Sequence, residues 1–218
     1  MNILTLDKVT YQYEGSNEKV LKNISTEFEM GTVYAIVGKS GAGKSTLLSL
    51  IAGLDVPTEG TVNYKEQNLS KIDRDHYRAR DIGVIFQSYN LLTNATALEN
   101  IVLSMNISNT KTSNKENEAL NLLKQMNIDA ETAKRKILKL SGGQQQRIGI
   151  ARALAHQPDI VLADEPTGNL DGETEDEVLA ILKRLAVEAG KCVIIITHSD
   201  KVAEMADVVL KMEKGKFE

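Results

Sequence analysis

One stretch of this sequence has the residue types and the spacing that bind phosphate. Residues 38–45 fit the pattern G-x-x-x-x-G-K-[ST] at every fixed position. The glycines let the backbone curl so that several N–H groups point at phosphate oxygens, while Lys44 brings a positive charge and the Ser45 hydroxyl can ligate Mg²⁺. An apolar run at 33–37 precedes the stretch and an apolar helical pattern follows it, as the motif requires. We therefore predict a nucleotide-phosphate site formed by Gly38, Lys39, Ser40, Gly41, Ala42, Gly43, Lys44, Ser45 and Thr46.

A pair of carboxylates, Asp164 and Glu165, follows a second apolar run at 160–163. Open α/β sheets place their ligands at the carboxyl ends of strands, where this pair would lie. By itself such a pair is commonly a solvated strand end, but downstream of a phosphate loop it favours catalysis. We predict that Asp164 holds Mg²⁺, through water, and that Glu165 polarises the water that attacks the γ-phosphate.

A third stretch predicts a second anion site. Ser141, Gly142 and Gly143 precede the apolar pattern at 148–154, and we interpret them as an uncapped helix start with free N–H groups. Two anion sites in one chain predict a head-to-tail pair, in which the second site of each copy closes on the ATP of the other. A plain helix cap is the alternative interpretation of these three residues.

The string Leu140 to Arg147 resembles the Leu-Ser-Gly-Gly-Gln signature of ABC-type ATPases, and the resemblance extends over essentially the whole chain. It implies ATP and Mg²⁺ as ligands. It also implies that Gln87 senses Mg²⁺ and the membrane partner, that residues 169–171 touch the opposite subunit, and that His198 contacts the γ-phosphate. Tyr13 resembles the aromatic residue that stacks on adenine, and we prefer it to Tyr11 because it directly precedes a Glu-Gly turn. The predicted catalytic residues are Glu165, His198, Lys44 and Gln87, and the predicted metal ligands are Ser45, Gln87 and Asp164.

The sequences of the signature and of residues 163–171 resemble those of one bacterial branch of that family. This branch includes macrolide exporters, lipoprotein-release ATPases and antimicrobial-peptide-resistance transporters. In that branch a separate permease is driven, so the resemblance implies an exporter or a force-transmitting system. Docking is expected near Gln87–Leu92. Leu91 and Leu92 are either exposed contacts for the permease or core residues. Because the sequence stops soon after the apolar run at 208–210, we expect no C-terminal regulatory domain.

The elements that must position these residues follow from hydrophobic patterns. Four apolar runs, at 33–37, 82–86, 160–163 and 193–196, suit strands buried on both faces of a parallel sheet. Helical spacing lies between them, which predicts an α/β fold with a mainly parallel sheet. The resemblance adds a P-loop NTPase core with an N-terminal antiparallel β subdomain. We expect a single domain over 1–218, with a RecA-like core at about 1–94 and 156–218 and an inserted helical subdomain at about 95–155.

Within that helical region, Ala119, Leu122, Leu123 and Met126 share one helix face. Ser113 and Glu116 have the spacing of a capping box, which predicts that this helix begins after Ser113.

Composition excludes some functions. The 218 residues carry a net charge of −4, so no global basic field favours nucleic acid, and we expect no nucleic-acid partner. No stretch approaches the roughly 18 apolar residues that span a bilayer, and residues 1–8 lack the order of a secretory signal. We expect a cytoplasmic protein that reaches the inner face of the membrane through a permease.

Two alternative functions each require a sequence feature of their own. A soluble ABC-type ATPase of DNA repair requires a long coiled-coil insertion that is absent here, whereas one of iron–sulfur assembly stays open. A GTPase requires an Asn-Lys-x-Asp element, and the nearest string, at 114–117, ends in Asn.

Overall fold

The computed structural model describes residues 2–218, in which strands and helices alternate. Their bounds are β1 Asn2–Gln12, β2 Lys19–Glu29, β3 Val33–Val37, α1 Lys44–Ile51, β4 Glu59–Tyr64, β5 Gln67–Asn68, α2 Arg74–Arg80, β6 Ile82–Ile85, α3 Ala97–Ile107, α4 Lys115–Gln125, α5 Ala130–Ala133, α6 Gly142–Leu154, β7 Ile160–Asp164, α7 Gly172–Val187, β8 Cys192–Thr197, α8 Asp200–Met205, β9 Val208–Glu213 and β10 Lys216–Phe217. A single 3-10 turn, Ile137–Lys139, lies between α5 and α6.

The core is a six-stranded sheet with the order β10-β9-β3-β8-β7-β6. All four pairs from β9 to β6 are parallel, and β8 is buried along its whole length. The four apolar runs predicted as buried strands are therefore β3, β6, β7 and β8, and the expected parallel core is confirmed. Because parallel strands share one carboxyl edge, the segments that follow β3, β6, β7 and β8 all emerge at the same side of the sheet.

A second sheet, with the order β2-β1-β4-β5, is antiparallel throughout and confirms the N-terminal β subdomain. It covers α1: Leu4, Leu21 and Phe28 of this sheet are fully buried in one cluster with Leu47 and Leu50 of α1. Burying these large side chains contributes about 1.5–3 kcal/mol each relative to exposure. This packing fixes the helix that follows the phosphate loop.

The predicted helical region contains α3 to α6, which follow one another between β6 and β7. Its helices begin with capped ends, but the predicted cap at Ser113 is wrong. The side chain of Asn114, not of Ser113, accepts the N–H of Asn117, so α4 begins at Lys115. Ser113 and Asn114 are both residue types that cap helices, and Asn114 makes the capping bond from an extended backbone.

Helix α6 is the connection that returns the chain to the start of β7. It packs closely on β6, because a Cβ added to Gly83 would lie 2.3 Å from the carbonyl oxygen of Ala153. Its amino end lies beside the segment that leaves β6, where the Tyr89 hydroxyl is 3.0 Å from the position of a Cβ on Gly142. The first turn of α6 therefore lies towards the carboxyl edge of the core sheet. Among residues 2–218, no helix has both the length and the apolarity needed to cross a bilayer.

Candidate active site

A cavity of about 560 Å³ lies where β3, β6, β7 and β8 end. The structure brings together in its wall most of the residues that the three motifs single out, from four separate loops. The lining residues are Val20, Gly38, Lys39, Ser40, Gly41, Gly43, Lys44, Ser45, Thr46, Gln87, Asp164, Glu165, Ile196 and His198. Val20 and Ile196 were not predicted, since an apolar strand residue carries no chemical signal. Of the predicted phosphate-loop residues, Ala42 alone is missing from the wall, because its side chain is buried.

The phosphate loop has the backbone that its glycines permit. Gly41 and Gly43 have φ values of 79° and 104°, in the left-handed region that favours glycine. Gly38 has no room for a side chain, since a Cβ there would lie 2.3 Å from the carbonyl oxygen of Met212 in β9. Gly43 is also the N-cap of α1 and supplies no side-chain cap, so the first amides of α1 stay available to an anion.

The ammonium group of Lys44 is held inside this loop. Its Nζ donates hydrogen bonds to the carbonyl oxygens of Gly38, at 2.6 Å, and Lys39, at 3.2 Å. Because both acceptors are neutral carbonyl groups, these bonds fix the position of the Lys44 ammonium group and leave its positive charge unneutralised. Lys44 lines the same cavity as Asp164.

Asp164 is the last residue of β7 and is only partly exposed. Burial raises the pKa of its carboxyl group above the ordinary value, the neighbouring Glu165 charge raises it further, and Lys44 opposes both. A carboxylate in this position is therefore stabilised by an added cation. The oxygen atoms of Ser45, Gln87 and Asp164 line the same cavity and are the hard donors that Mg²⁺ prefers. In the described chain, no cluster of three His, Cys, Asp or Glu side chains forms a metal site by itself.

Glu165 is held by the loop that follows β8. Its Oε1 lies 2.8 Å from Nδ1 of His198, while its Oε2 accepts bonds from the Thr197 hydroxyl, at 3.1 Å, and the His198 amide, at 3.3 Å. The side chain of Glu165 is 16% exposed and that of His198 is 72% exposed. Glu165 also has a φ of 45°, a left-handed conformation that costs a non-glycine residue of order 1–3 kcal/mol. The surrounding contacts thus hold Glu165 in a strained backbone conformation, with its carboxylate against the accessible imidazole of His198.

The turn at Ser141 differs from its prediction. α6 begins at Gly142, ahead of the apolar pattern, and it is capped. The Ser141 hydroxyl accepts the Gln144 N–H at 3.2 Å, and Gln144 Oε1 accepts the Ser141 N–H at 3.0 Å. The prediction of an uncapped start was wrong because Ser141 and Gln144 have capping-box spacing. Within the described residues, the amides of Gly142 and Gly143 have no hydrogen-bond acceptor, so two donors remain at this turn.

These three residues do not line the cavity beside the phosphate loop. The phosphate loop and this turn both lie at the carboxyl side of the core sheet, but only the phosphate loop lines the cavity.

The structure separates the two candidate adenine-stacking residues. Tyr11 is buried and its hydroxyl is bonded to Asp55, so its ring faces are not accessible. Tyr13 is 51% exposed, and its hydroxyl lies 2.9 Å from the Thr46 hydroxyl at the start of α1. The two rings meet edge to face, with centroids 5.1 Å apart. Tyr13 therefore offers an aromatic surface next to the phosphate loop.

The segment after Gln87 divides its two leucines between core and surface. Leu91 is buried and Leu92 is 52% exposed. Leu92 lines a second cleft, of about 320 Å³, with the exposed side chains of Leu103 and Ile107 from α3. The two residues that precede the leucine pair have left-handed backbone conformations, with φ values of 61° at Tyr89 and 50° at Asn90.

Arg152 of α6 fastens this segment. Its guanidinium donates to the carbonyl oxygens of Tyr89, at 3.1 Å, and of Asn90. The segment after Gln87 and the helix that carries Gly142 and Gly143 are thereby joined.

Comparison with known proteins adds a family to this geometry. Residues 21–168 match the family described as ABC transporter. The chain is 41% identical to an uncharacterised ABC transporter ATP-binding protein of Bacillus subtilis, YclH, over all of its own length and 96% of that protein. It is 39% identical to the lipoprotein-releasing system ATP-binding protein LolD of Legionella pneumophila, over 98% of the chain and 96% of LolD.

The fold is also that of a solved relative. A dimeric structure of the ATP-binding cassette MJ0796, in a post-hydrolysis state with ADP and Pi, superposes with a TM-score of 0.90 at 37% identity. The match covers 99% of this chain and 97% of that one. MJ0796 is an uncharacterised ABC transporter ATP-binding protein of Methanocaldococcus jannaschii.

Proposed function

Since this chain belongs to the ABC transporter family, as an ATP-binding subunit and an ATPase, we propose that it drives a separate membrane permease by hydrolysing Mg-ATP between two copies of itself. We further propose that the complex is an exporter or a force-transmitting system. The observation that carries the proposal is the single cavity in which a phosphate loop faces Gln87, Asp164, Glu165 and His198.

Binding of the nucleotide is assigned to the elements around α1. The amides of residues 38–46 and the Lys44 ammonium bind the phosphates, and the exposed ring of Tyr13 stacks on adenine. Ser45, Gln87 and Asp164 would hold Mg²⁺, which supplies positive charge against the phosphate oxygens.

Hydrolysis is assigned to Glu165 and His198. Glu165 accepts a hydrogen bond from the attacking water and orients it, because a carboxylate at the cavity wall is an acceptor with little freedom to rotate. Its three contacts with Thr197 and His198 restrain it. His198 contacts the γ-phosphate in this proposal, and the 72% exposure of its side chain at the cavity wall supports that role. Positioning and charge stabilisation supply most of the rate of phosphoryl transfer.

Completion of the site requires a second copy. Ser141, Gly142 and Gly143 offer two free amides and a hydroxyl, yet lie outside the cavity of their own chain. A head-to-tail pair would place them over the nucleotide of the partner. The dimeric form of the relative MJ0796, with 37% identity over nearly the whole chain, supports this arrangement.

The permease is assigned to the cleft that contains the exposed side chains of Leu92, Leu103 and Ile107. Polar and basic residues complete its wall, among them Arg78, Asn90, Asn100, Arg152 and His156. The three exposed apolar side chains suit a short amphipathic helix from a partner. The attachment would bring the chain to the inner face of the membrane. The lipoprotein-releasing system of the relative LolD supports the branch.

The test uses Glu165→Gln, which keeps the shape of the side chain and removes its charge. We expect this variant to bind Mg-ATP, to lose turnover by about a hundredfold or more, and to accumulate as an ATP-dependent dimer in size-exclusion chromatography. Lys44→Ala is expected to lose ATP binding itself. Glu173→Gln, an exposed carboxylate in the first turn of α7, is the matched control and should hydrolyse ATP normally. Undiminished turnover by Glu165→Gln would show that Glu165 is not the base.

A further inference from the structure

A second carboxylate, Glu175 in α7, contacts both loops that carry the proposed hydrolytic pair. The Thr167 hydroxyl, two residues after Glu165, donates to Glu175 Oε1 at 3.1 Å. The hydroxyl of Ser199, next to His198, donates to the same oxygen at 3.4 Å. One carboxylate oxygen thus joins the segment after β7 to the segment after β8.

These contacts close a ring of hydrogen bonds. From Ser199 the ring continues through its amide to the Thr197 hydroxyl, at 3.0 Å, and from Thr197 to Glu165. Glu165 returns to Thr167 along the backbone. Thr167 and Thr197 are buried, and the side chain of Glu175 is 20% exposed, so water competes weakly for these bonds.

The hydroxyl of Ser199 bonds to Glu175 and does not cap α8. Ser199 is the N-cap residue of α8, where a serine side chain ordinarily accepts an amide of the first turn. No such bond is made here, and the hydroxyl turns to Glu175 instead. The contact is therefore made in competition with a favourable local alternative.

We propose that Glu175 is a positioning residue for hydrolysis, which keeps Glu165 and His198 in register by binding Thr167 and Ser199. It touches neither the cavity nor its ligand. The inference rests on the proposed roles of Glu165 and His198. Its consequence is kinetic: loss of Glu175 leaves nucleotide binding intact and slows the step that needs the base and the imidazole in fixed positions.

Asp176 provides the matched control. It follows Glu175 in the same turn of α7, and Lys201 contacts both, at 2.7 Å from Asp176 and 3.7 Å from Glu175. Asp176 thus shares the Lys201 ion pair of Glu175, but contacts neither Thr167 nor Ser199. A difference in kcat between Glu175→Ala and Asp176→Ala therefore reports the loss of the hydrogen-bond ring.

The experiment measures kcat and KM for ATP with the full-length chain at saturating Mg²⁺, and the lifetime of its ATP-loaded dimer. For Glu175→Ala we expect kcat to fall about tenfold, KM to stay within about twofold, and the dimer lifetime to lengthen. Asp176→Ala should stay within about twofold of the unsubstituted protein in all three. Glu175→Gln, which keeps an oxygen and can bond both hydroxyls, should recover most of kcat.

Three results overturn the inference: equal kcat for the two alanine variants, a slow Glu175→Gln, or a change confined to KM. Because Glu175→Gln preserves shape and polarity, it decides the matter even where the alanine variant melts early. Glu165→Gln is assayed alongside. If it is inactive while Glu175→Ala is normal, only the role of Glu175 fails; if it is active, the proposed hydrolytic site fails as well.

Discussion

The methyl group of Thr174 fills the space beside Gly143: a Cβ added to Gly143 would lie 2.4 Å from Cγ2 of Thr174. Gly143 is in the first turn of α6 and Thr174 is in the first turn of α7. An ion pair between Arg147 and Glu177, at 2.6 Å, joins the same two helices. The glycine is therefore required by packing within one chain, independently of any ligand.

This contact predicts that Gly143→Ala is destabilising and that Thr174→Ser rescues it. The added methyl overpacks the contact and should lower the free energy of unfolding by about 1–3 kcal/mol. Thr174→Ser removes the opposing methyl, after which alanine is the better helix former at this position. Urea unfolding of both single variants and the double variant measures the coupling.

If Gly143 is needed only for close approach to a nucleotide, adding Thr174→Ser to Gly143→Ala will not change the free energy of unfolding. Thr174→Ser alone is the control, and it should keep the bond from its amide to Asp171.

Two matched helix caps separate stability from binding. Ser141 and Thr96 each form a capping box, at α6 and α3, but only Ser141 lies at the proposed signature turn. Ser141→Ala and Thr96→Ala should each cost about 1 kcal/mol of unfolding free energy. Only Ser141→Ala should raise the ATP concentration needed for dimer formation, as measured by light scattering of chains that also carry Glu165→Gln. An equal shift in both variants would remove the nucleotide role of Ser141.

The exposed leucine of the second cleft predicts the docking site. Leu92→Asp should abolish co-purification with the permease and leave ATP binding unchanged, because a charge in an apolar contact is costly to bury. Val187→Asp is the control, since Val187 is 67% exposed but lies outside this cleft, at the end of α7. Retention of a detergent-solubilised permease by Leu92→Asp would refute the assignment, and retention of only a soluble scaffold would favour iron–sulfur assembly.

Asp207 predicts a pH-dependent contribution to stability. Its carboxylate binds the Lys183 ammonium at 2.5 Å and the Val33 amide at 2.9 Å, and Lys183 first, then that amide, holds its pKa below the ordinary value of 3.8. Since the folded-state pKa is depressed, the contribution is complete above the unfolded-state pKa and is lost as pH falls through the folded-state pKa. Asp207→Asn should therefore be less stable than the unsubstituted protein at pH 7.

The difference should shrink below about pH 4 in urea unfolding series. Asp200→Asn, at an exposed position in α8 away from Lys183, is the control for the general effect of removing a carboxylate. A difference that is constant with pH would contradict the assignment.

The sequence predicts the core strands and the phosphate loop because both are continuous. β3, β7 and β8 are uninterrupted apolar runs, and the loop between β3 and α1 has its chemistry within nine residues. The acidic pair gains its meaning only from the loop upstream of it. β4, with its polar Glu59 and Gly60, has no such run and becomes a strand by pairing with β1.

The errors arise where neighbouring residues compete or where contacts cross the chain. Ser113 and Asn114 both fit the capping rule, and the structure uses Asn114. At Ser141 the alternative interpretation, a plain helix cap, is the one that the structure shows, and Gln144 three residues later is its sequence signal. Thr197 reaches Glu165 across 32 positions, a separation at which no sequence spacing predicts contact. Leu91 and Leu92 differ in burial because a loop has no period to predict from.

The place of β3 in the sheet has a consequence for synthesis on the ribosome. The phosphate loop follows β3, but the two sheet neighbours of β3 are β8 and β9, whose paired residues are translated 160 and 174 positions later. Until those strands emerge, the backbone of Val33–Val37 has no hydrogen-bonding neighbour from the sheet, and Gly38 lacks the Met212 carbonyl against which it packs. Contacts this distant in the chain form late. A nascent chain of this protein therefore cannot acquire a finished nucleotide pocket until both β8 and β9 have left the ribosome.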